Sequence, residues 1–341
     1  MKISDFDLNV NVLIVAEIGN NHEGSFALAE EMIHRAADAG ADAVKFQTFH
    51  TKQYVSQSNM DRFNRLKSFE LTYDEFEALG NAAKKAGVIF LSTPFDLDSA
   101  EFLNNIVPAF KISSGDNNFY PLIAKIAGFG KPIMLSSGLA EMDRLYKSKD
   151  LIEEKWKSLQ VDPGLAVLHC VSSYPVCRSE ANLGAIRQIE SKLGCVVGYS
   201  DHTMGIEAAV LSVALGARIV EKHFTIDKNY SDFRDHQLSA DPTEMVQLVR
   251  RIRETQEYIG TGQKVLQESE KANENLIRRS IAAKRDLAAG TRISAEDIAW
   301  VRPGGGLEPG REELVLGRKL GDLVYCGEMI TLASLAVEEQ E

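Results

Sequence analysis

Cysteine is scarce in this chain. Only Cys170, Cys177, Cys195 and Cys326 occur among 341 residues, and no two stand at CxxC spacing. That argues against a thiolate metal cluster and a disulfide-stapled fold, and it reads as reduced thiols in a reducing compartment. Long apolar runs are missing too. None approaches the ~18 residues of a membrane span, and no basic segment followed by an apolar one opens the chain. The expectation is a cytoplasmic protein with no membrane partner. Basic residues are outnumbered, 38 Lys and Arg against 49 Asp and Glu, for a net charge of −11. A nucleic-acid partner needs a concentrated basic surface, and the composition offers none. Local phosphate binding stays open, since a negative protein can still hold a small anion.

What the chain has in quantity is alternation. Short apolar runs at 12–19, 41–49, 87–95, 109–115, 131–138, 165–174, 195–202 and 218–225 each precede a helical pattern. Eight such units predict an α/β fold, a (β/α)8 TIM barrel rather than an open sheet. A barrel takes roughly 250 residues, which fits a catalytic domain over 1–262. The runs are apolar almost throughout, as parallel strands buried on both faces are. Thr72 with Glu75, and Asp241 with Glu244, have the spacing of helix-start capping boxes, and Pro242 takes a first helical position. Met245, Leu248, Val249 and Ile252 form a stripe that reads as packing on the barrel, as do Ile206, Val210 and Val213. Residues 263–276 are polar and lose the rhythm, so they read as a linker. Strand-like pieces at 279–285, 298–301 and 328–332 then make a small β-rich module over 277–341. It is small for a free-standing core and is expected to dock.

Polar residues sit at or near the strand ends, and in α/β barrels the C-terminal ends are where chemistry is done. Glu17, Lys45, Ser92 and Thr93, Lys111, Ser136 and Ser137, His169, Ser200 and His202, then Glu221 and His223 follow strand by strand. Each alone has a bland reading: a lone Lys snorkels, and a lone His is more often a hydrogen-bonded core residue. Burying Glu17, Lys45, Lys111 and Glu221 without partners would be very costly, and stability alone would place Val, Ile or Leu there. Together they predict an active site. Two lysines with Ser/Thr hydroxyls and glycine-bordered turns suit a receptor for phosphate and carboxylate. His202 and His223, with carboxylates nearby, suit a divalent transition metal such as Mn2+ or Zn2+, and two protein ligands leave positions open for substrate. His22, on the loop after the first strand, reads equally as ordering that loop or touching substrate. His34 and His50 receive no role.

The runs VAEIGNNHEG, AVKFQTF, IFLSTPFD, FKISSGDNNFYPLI, PIMLSSG, LHCVSSYP, VGYSDHT and VEKHFT resemble, in type and in order, the sialic acid synthase family. Its members condense phosphoenolpyruvate (PEP) with an N-acylated amino sugar to make nonulosonic acids. Downstream, RRSIAAKRDLAAGTRIS, VRPGGGLEP and LGRKL resemble that family's C-terminal antifreeze-like (SAF) domain, so the likeness spans about 12–335. It implies a PEP-dependent transferase with His202 and His223 as metal ligands, for Mn2+ first and Mg2+ second. Lys45, Thr93, Lys111, Ser114, Ser136 and Ser200 would hold the phosphate and carboxylate of PEP. Glu17 and Glu221 would serve the sugar end and proton traffic, and Tyr174 and Asp235 would contact the acceptor. Arg302 would reach the N-acyl group of a sugar in the partner subunit, which implies a domain-swapped homodimer. In the implied reaction, C3 of PEP attacks the metal-polarised aldehyde of the open-chain sugar, water adds at C2, and phosphate leaves by C–O cleavage.

Two departures from the family pattern fall on the acceptor side. Ser172 stands where many members carry a substrate-binding Asn, and 229–241 lacks the usual Gly-Pro-Asp-His run while keeping Asp235-His236. Asn59 is the candidate for the family's Asn after the second strand. The competing readings are a metal-dependent barrel aldolase or isomerase acting on a phosphorylated sugar, a Schiff-base aldolase using Lys45 or Lys111, and a non-enzymatic docking or ice-binding protein.

Overall fold

The computed structural model describes residues 1–337, so the last four residues of the 277–341 module lie outside the described residues. The chain divides into two compact units, Met1–Gly260 and the part from Thr261 onward. Among the described residues no helix is long and apolar enough to cross a membrane, and all four cysteines are free thiols.

The first unit begins with a small antiparallel hairpin, β1 (Lys2–Ile3) and β2 (Phe6–Asp7). Eight strands follow, each at one of the expected runs: β3 (Leu13–Gly19), β4 (Ala43–Thr48), β5 (Ile89–Pro94), β6 (Phe110–Ile112), β7 (Ile133–Ser136), β8 (Leu165–Cys170), β9 (Val196–Asp201) and β10 (Ile219–His223). They form one parallel sheet in the order β5-β4-β3-β10-β9-β8-β7-β6. β5 and β6 adjoin and carry no ladder between them, so the barrel is closed in space and open in hydrogen bonding at that joint.

Side chains alternate along each strand. One set, including Ile14, Ala16, Val44, Phe46, Val167 and Val220, packs outward on the helices, against residues such as Met32, Leu79, Ile126 and Leu248. The other set, Leu13, Val15, Ala43, Leu91, Ala109, Met134, Ala166, Leu168 and Ile219, fills the barrel at the strand starts, and Ile3 and Leu8 of the hairpin segment close it from below. Space in this layer is tight. A Cβ at Gly198 would lie 2.7 Å from the Ile219 carbonyl oxygen and 2.9 Å from Leu168 Cγ. One step further along the strands, the inward positions turn polar.

Helix starts follow the sequence signals. Thr72 and Glu75 form the reciprocal capping box of the helix Tyr73–Ala86. The Asp241 side chain accepts from Glu244 N to start the helix Pro242–Ile259, a cap that contributes about 1 kcal/mol. That helix buries Met245, Leu248 and Ile252.

In the second unit, β11 (Ser280–Ala283) pairs antiparallel with β12 (Ile298–Val301). The third expected strand shrinks to a single bridge, Ala282 to Met329. Ile281, Leu287, Ile293, Val315, Leu320, Ile330 and neighbours make a core of its own. Within 263–276 the chain is not featureless: Glu268–Lys271 and the start of Glu274–Ile277 form helical turns, the first closed by a Gln267–Glu270 box.

Candidate active site

A cavity of about 410 Å3 opens where the strands end. Twelve candidate residues of the barrel line it: Glu17, Lys45, Thr93, Lys111, Ser114, Ser136, Tyr174, Ser200, His202, Glu221, His223 and Asp235. A larger cavity of about 790 Å3 lies beside it and shares Leu139, Cys170 and Ser172. The smaller one holds the concentrated charge and is the place for chemistry. Ser92, Ser137 and His169 do not join it. Ser92 points outward to the Thr48 hydroxyl at 2.7 Å, His169 Nε2 meets the Ala181 carbonyl at 2.9 Å, and Ser137 lines the larger cavity. Period-two alternation explains all three, because each neighbours an inward residue.

The floor of the cavity is a buried charge cluster. Lys45 Nζ lies 2.7 Å from Glu17 Oε2 and 3.7 Å from Glu221 Oε2, and it donates to Thr93 Oγ1 at 3.0 Å. Lys111 Nζ donates to Glu221 Oε1 at 3.2 Å, which also accepts from Ser200 Oγ at 2.8 Å. The two carboxyls are driven apart. Burial alone would raise both, and at Glu17 burial wins over the Lys45 ammonium, so its pKa is raised. At Glu221 the two ammoniums and the Ser200 hydroxyl outweigh burial and hold it well below the usual carboxylate range. Opposite shifts of this kind suit one carboxyl to carrying a proton and the other to staying a fixed counter-charge. Burial, with Lys45 nearby, pulls Lys111 below its ordinary value.

Local structure aims these groups. The β3–β4 register slips between Glu17 and Gly19, a bulge of the kind that re-aims side chains. Gly138 N donates to Ser114 Oγ at 3.1 Å, and a Cβ at Gly138 would sit 2.6 Å from that oxygen, so only glycine lets the two turns meet. Ser136 Oγ and Ser172 Oγ are buried without a partner among the described residues, and orphaned hydroxyls in a cleft point to a ligand.

The two imidazoles stand at the ends of β9 and β10, ring centroids 5.4 Å apart. His202 Nδ1 lies 2.8 Å from the Val171 carbonyl. A carbonyl only accepts, so Nδ1 carries a proton and Nε2 is the nitrogen left for a ligand. His223 Nδ1 is buried without a partner among the described residues, and burial followed by the nearness of His202 keeps this ring well below its ordinary pKa, hence neutral. At His202 the Cys170 thiol and the Val171 carbonyl outweigh burial and raise the pKa, so a divalent cation would compete there with a proton; an oriented imidazole pair of this kind fits such a cation. No group of three or more His, Cys, Asp or Glu that could hold a metal is assembled among the described residues; the histidine pair is what the cavity would offer one. The Tyr174 ring lies tilted by 31° against His202, centroids 4.1 Å apart, and the Arg234 guanidinium lies 4.7 Å over Tyr174 and 3.3 Å from Asp235.

Comparison with known proteins now bears on this geometry. Residues 32–264 match the NeuB family, and residues 278–336 match the SAF domain. The chain belongs to the NeuB family. An uncharacterized protein of Methanocaldococcus jannaschii is 41% identical, over 93% of this chain and 94% of that protein. The N,N'-diacetyllegionaminic acid synthase of Campylobacter jejuni is 37% identical, over 90% and 95%. The N-acetylneuraminic acid synthetase of Leptospira borgpetersenii, solved with citrate, superposes with a TM-score of 0.73 at 36% identity over 78% of this chain and 90% of that one. The expectation of a sialic-acid-synthase-type enzyme stands, as do the TIM barrel and the SAF domain.

In this NeuB-family chain several residues at the cavity escaped the sequence reading. Gln47 donates to Glu17 Oε1 at 3.3 Å and accepts from Asn20 at 2.8 Å; as the next inward position after Lys45 it was available from alternation. Tyr54, Arg62, Asp116 and Arg234 also line the cavity, from segments beyond the strand ends that carry no strand-end signal. Asn59 does not line it: its side chain caps the helix Met60–Phe69 by accepting from Arg62 N. His22 is buried and accepts from Gly24 N at 3.0 Å, which is the loop-ordering role, and burial lowers its pKa to about 4. Arg302 belongs to the second unit, where its Nε donates to the Ile277 carbonyl at 2.6 Å.

Proposed function

We propose that this chain condenses PEP with an N-acylated amino sugar, forms a nonulosonic acid and releases inorganic phosphate. The observation that carries the reading is the buried cluster of two lysines and two glutamates, ringed by hydroxyls, beside two paired imidazoles. PEP brings a phosphate and a carboxylate. Lys111, incompletely compensated, gains most from an arriving anion, and Lys45 with Thr93 grips from the other side. Ser114, Ser136 and Ser200 add hydroxyl donors, so charge is met by fixed dipoles without reorganisation. Glu221 stays ionised and spaces the two ammoniums. Glu17, its proton affinity raised by burial, takes the proton of the water that adds at C2 of PEP. Tyr174 and Asp235 hold the acceptor sugar, and Arg302 reaches it from the partner of a domain-swapped homodimer in the cytoplasm. A divalent cation on His202 and His223, Mn2+ by preference and Mg2+ as substitute, would supply Lewis-acid polarisation of the sugar's carbonyl oxygen.

The test is phosphate release from PEP with Mn2+ against N-acetylmannosamine, its 6-phosphate and diacetamido trideoxy hexoses, with an EDTA control. Release that requires PEP, sugar and cation together is the expected result. A folded, cation-binding protein that releases no phosphate with any sugar overturns the reading in favour of an aldolase or isomerase.

A further inference from the structure

Behind the two histidines, on the outer face of the barrel wall, lies a second ion pair that the chemistry above does not use. Lys222 Nζ is 3.0 Å from Asp201 Oδ2, with both side chains at most 1% exposed. Lys222 also donates to the Thr203 carbonyl at 2.6 Å. The other oxygen of Asp201 accepts from Thr203 N at 2.8 Å and from the Tyr199 hydroxyl at 3.2 Å. Asp201 and Lys222 are direct partners in the β9–β10 register, and each immediately precedes one of the histidines. His202 is tied further along, its carbonyl accepting from Val176 N at 2.9 Å. Stability alone does not call for this network. Replacing a buried ion pair with apolar residues of similar volume is often neutral or stabilising. What the network does join is the two strand ends that carry the histidines.

We propose that the Lys222–Asp201 pair, with Tyr199 and Thr203, is a positioning clamp that fixes His202 and His223 at the separation one divalent cation needs. This rests on the reading of those histidines as its ligands. Lys222 and Asp201 touch neither substrate nor cation. They act through the strand ends, as partners outside the ligand set do at other metal sites.

The experiment titrates the full-length protein with Mn2+, reading free Mn2+ by electron paramagnetic resonance, and follows melting in parallel. The proteins are wild type, His223→Ala, the double variant Asp201→Leu with Lys222→Met, and Tyr199→Phe. The double variant is expected to stay folded through the titration and bind Mn2+ roughly 10–100-fold more weakly. Tyr199→Phe should show a smaller loss in the same direction. Wild-type Mn2+ affinity in the folded double variant overturns the clamp. If the double variant does not fold, unchanged affinity in Tyr199→Phe overturns it. Weaker binding that only tracks a falling melting temperature marks a merely structural pair and also overturns it. His223→Ala separates the two claims: if it binds Mn2+ as wild type does, the ligand reading fails first and takes the clamp with it.

Discussion

Changing Glu221 to Gln keeps the shape of the cluster and removes the charge that two buried ammoniums share. Its Oε1 accepts from Lys111 at 3.2 Å and from Ser200 at 2.8 Å, and its Oε2 stands 3.7 Å from Lys45. Removing one partner of a buried pair costs about 3–5 kcal/mol, and that is the loss expected for the barrel at pH 7. The pH dependence has a fixed sign. Glu221 has a folded-state pKa below its unfolded value, so its stabilisation is fully present above the unfolded value of ~4.3. It fades as pH falls through the depressed folded value. The gap between wild type and Glu221→Gln should therefore be flat above about pH 5 and narrow below it. Urea unfolding in a Trp300→Phe background reads the barrel alone, because Trp156 is buried there and Trp300 lies in the second unit. Added phosphate should stabilise the variant more than the wild type, since its lysines have lost a counter-charge. A gap below about 1 kcal/mol at pH 7, or one that widens on acidification, would refute this account of the cluster.

Three further outcomes follow. Glu17→Gln should slow phosphate release on the order of 10²–10⁴-fold. The wild-type acid limb of kcat/KM should lie above the ordinary carboxylate range, because burial raises Glu17, and be absent in the variant; a wild-type limb at the ordinary value contradicts the role. Arg234→Ala removes the cation over Tyr174, so the KM for the sugar should rise by roughly 2–30-fold, equivalent to about 0.5–2 kcal/mol, with the KM for PEP unmoved; an equal rise in both sinks the assignment. His223→Ala should lose most turnover in metal-limited buffer, and unchanged activity there counts against the cation site.

The barrel was legible because parallel strands, buried on both faces, are short and apolar whatever their order. The site was legible because Lys45, Lys111, Glu17 and Glu221 interrupt those runs where apolar residues would be more stable. Direction was harder to read. Listing polar residues near strand ends swept in Ser92 and His169, which alternation turns outward, and passed over Gln47, which it turns inward. The hairpin Lys2–Asp7 has two-residue strands, too short for any period to show. Tyr54 and Arg62 arrive on helices Thr51–Tyr54 and Met60–Phe69 between β4 and β5, an insertion whose own pattern says nothing about what it faces.

The joint between β5 and β6 has a mechanical consequence. A ring of strands with seven laddered joints and one bare joint flexes where it is bare, so breathing and amide exchange should concentrate along Ile89–Pro94 and Phe110–Ile112. Thr93 stands on one lip of that slit and Lys111 on the other. An anion gripped by both spans the gap and works as a clasp. The loaded and the empty barrel would then differ in stiffness, even where every atom of the protein keeps its place.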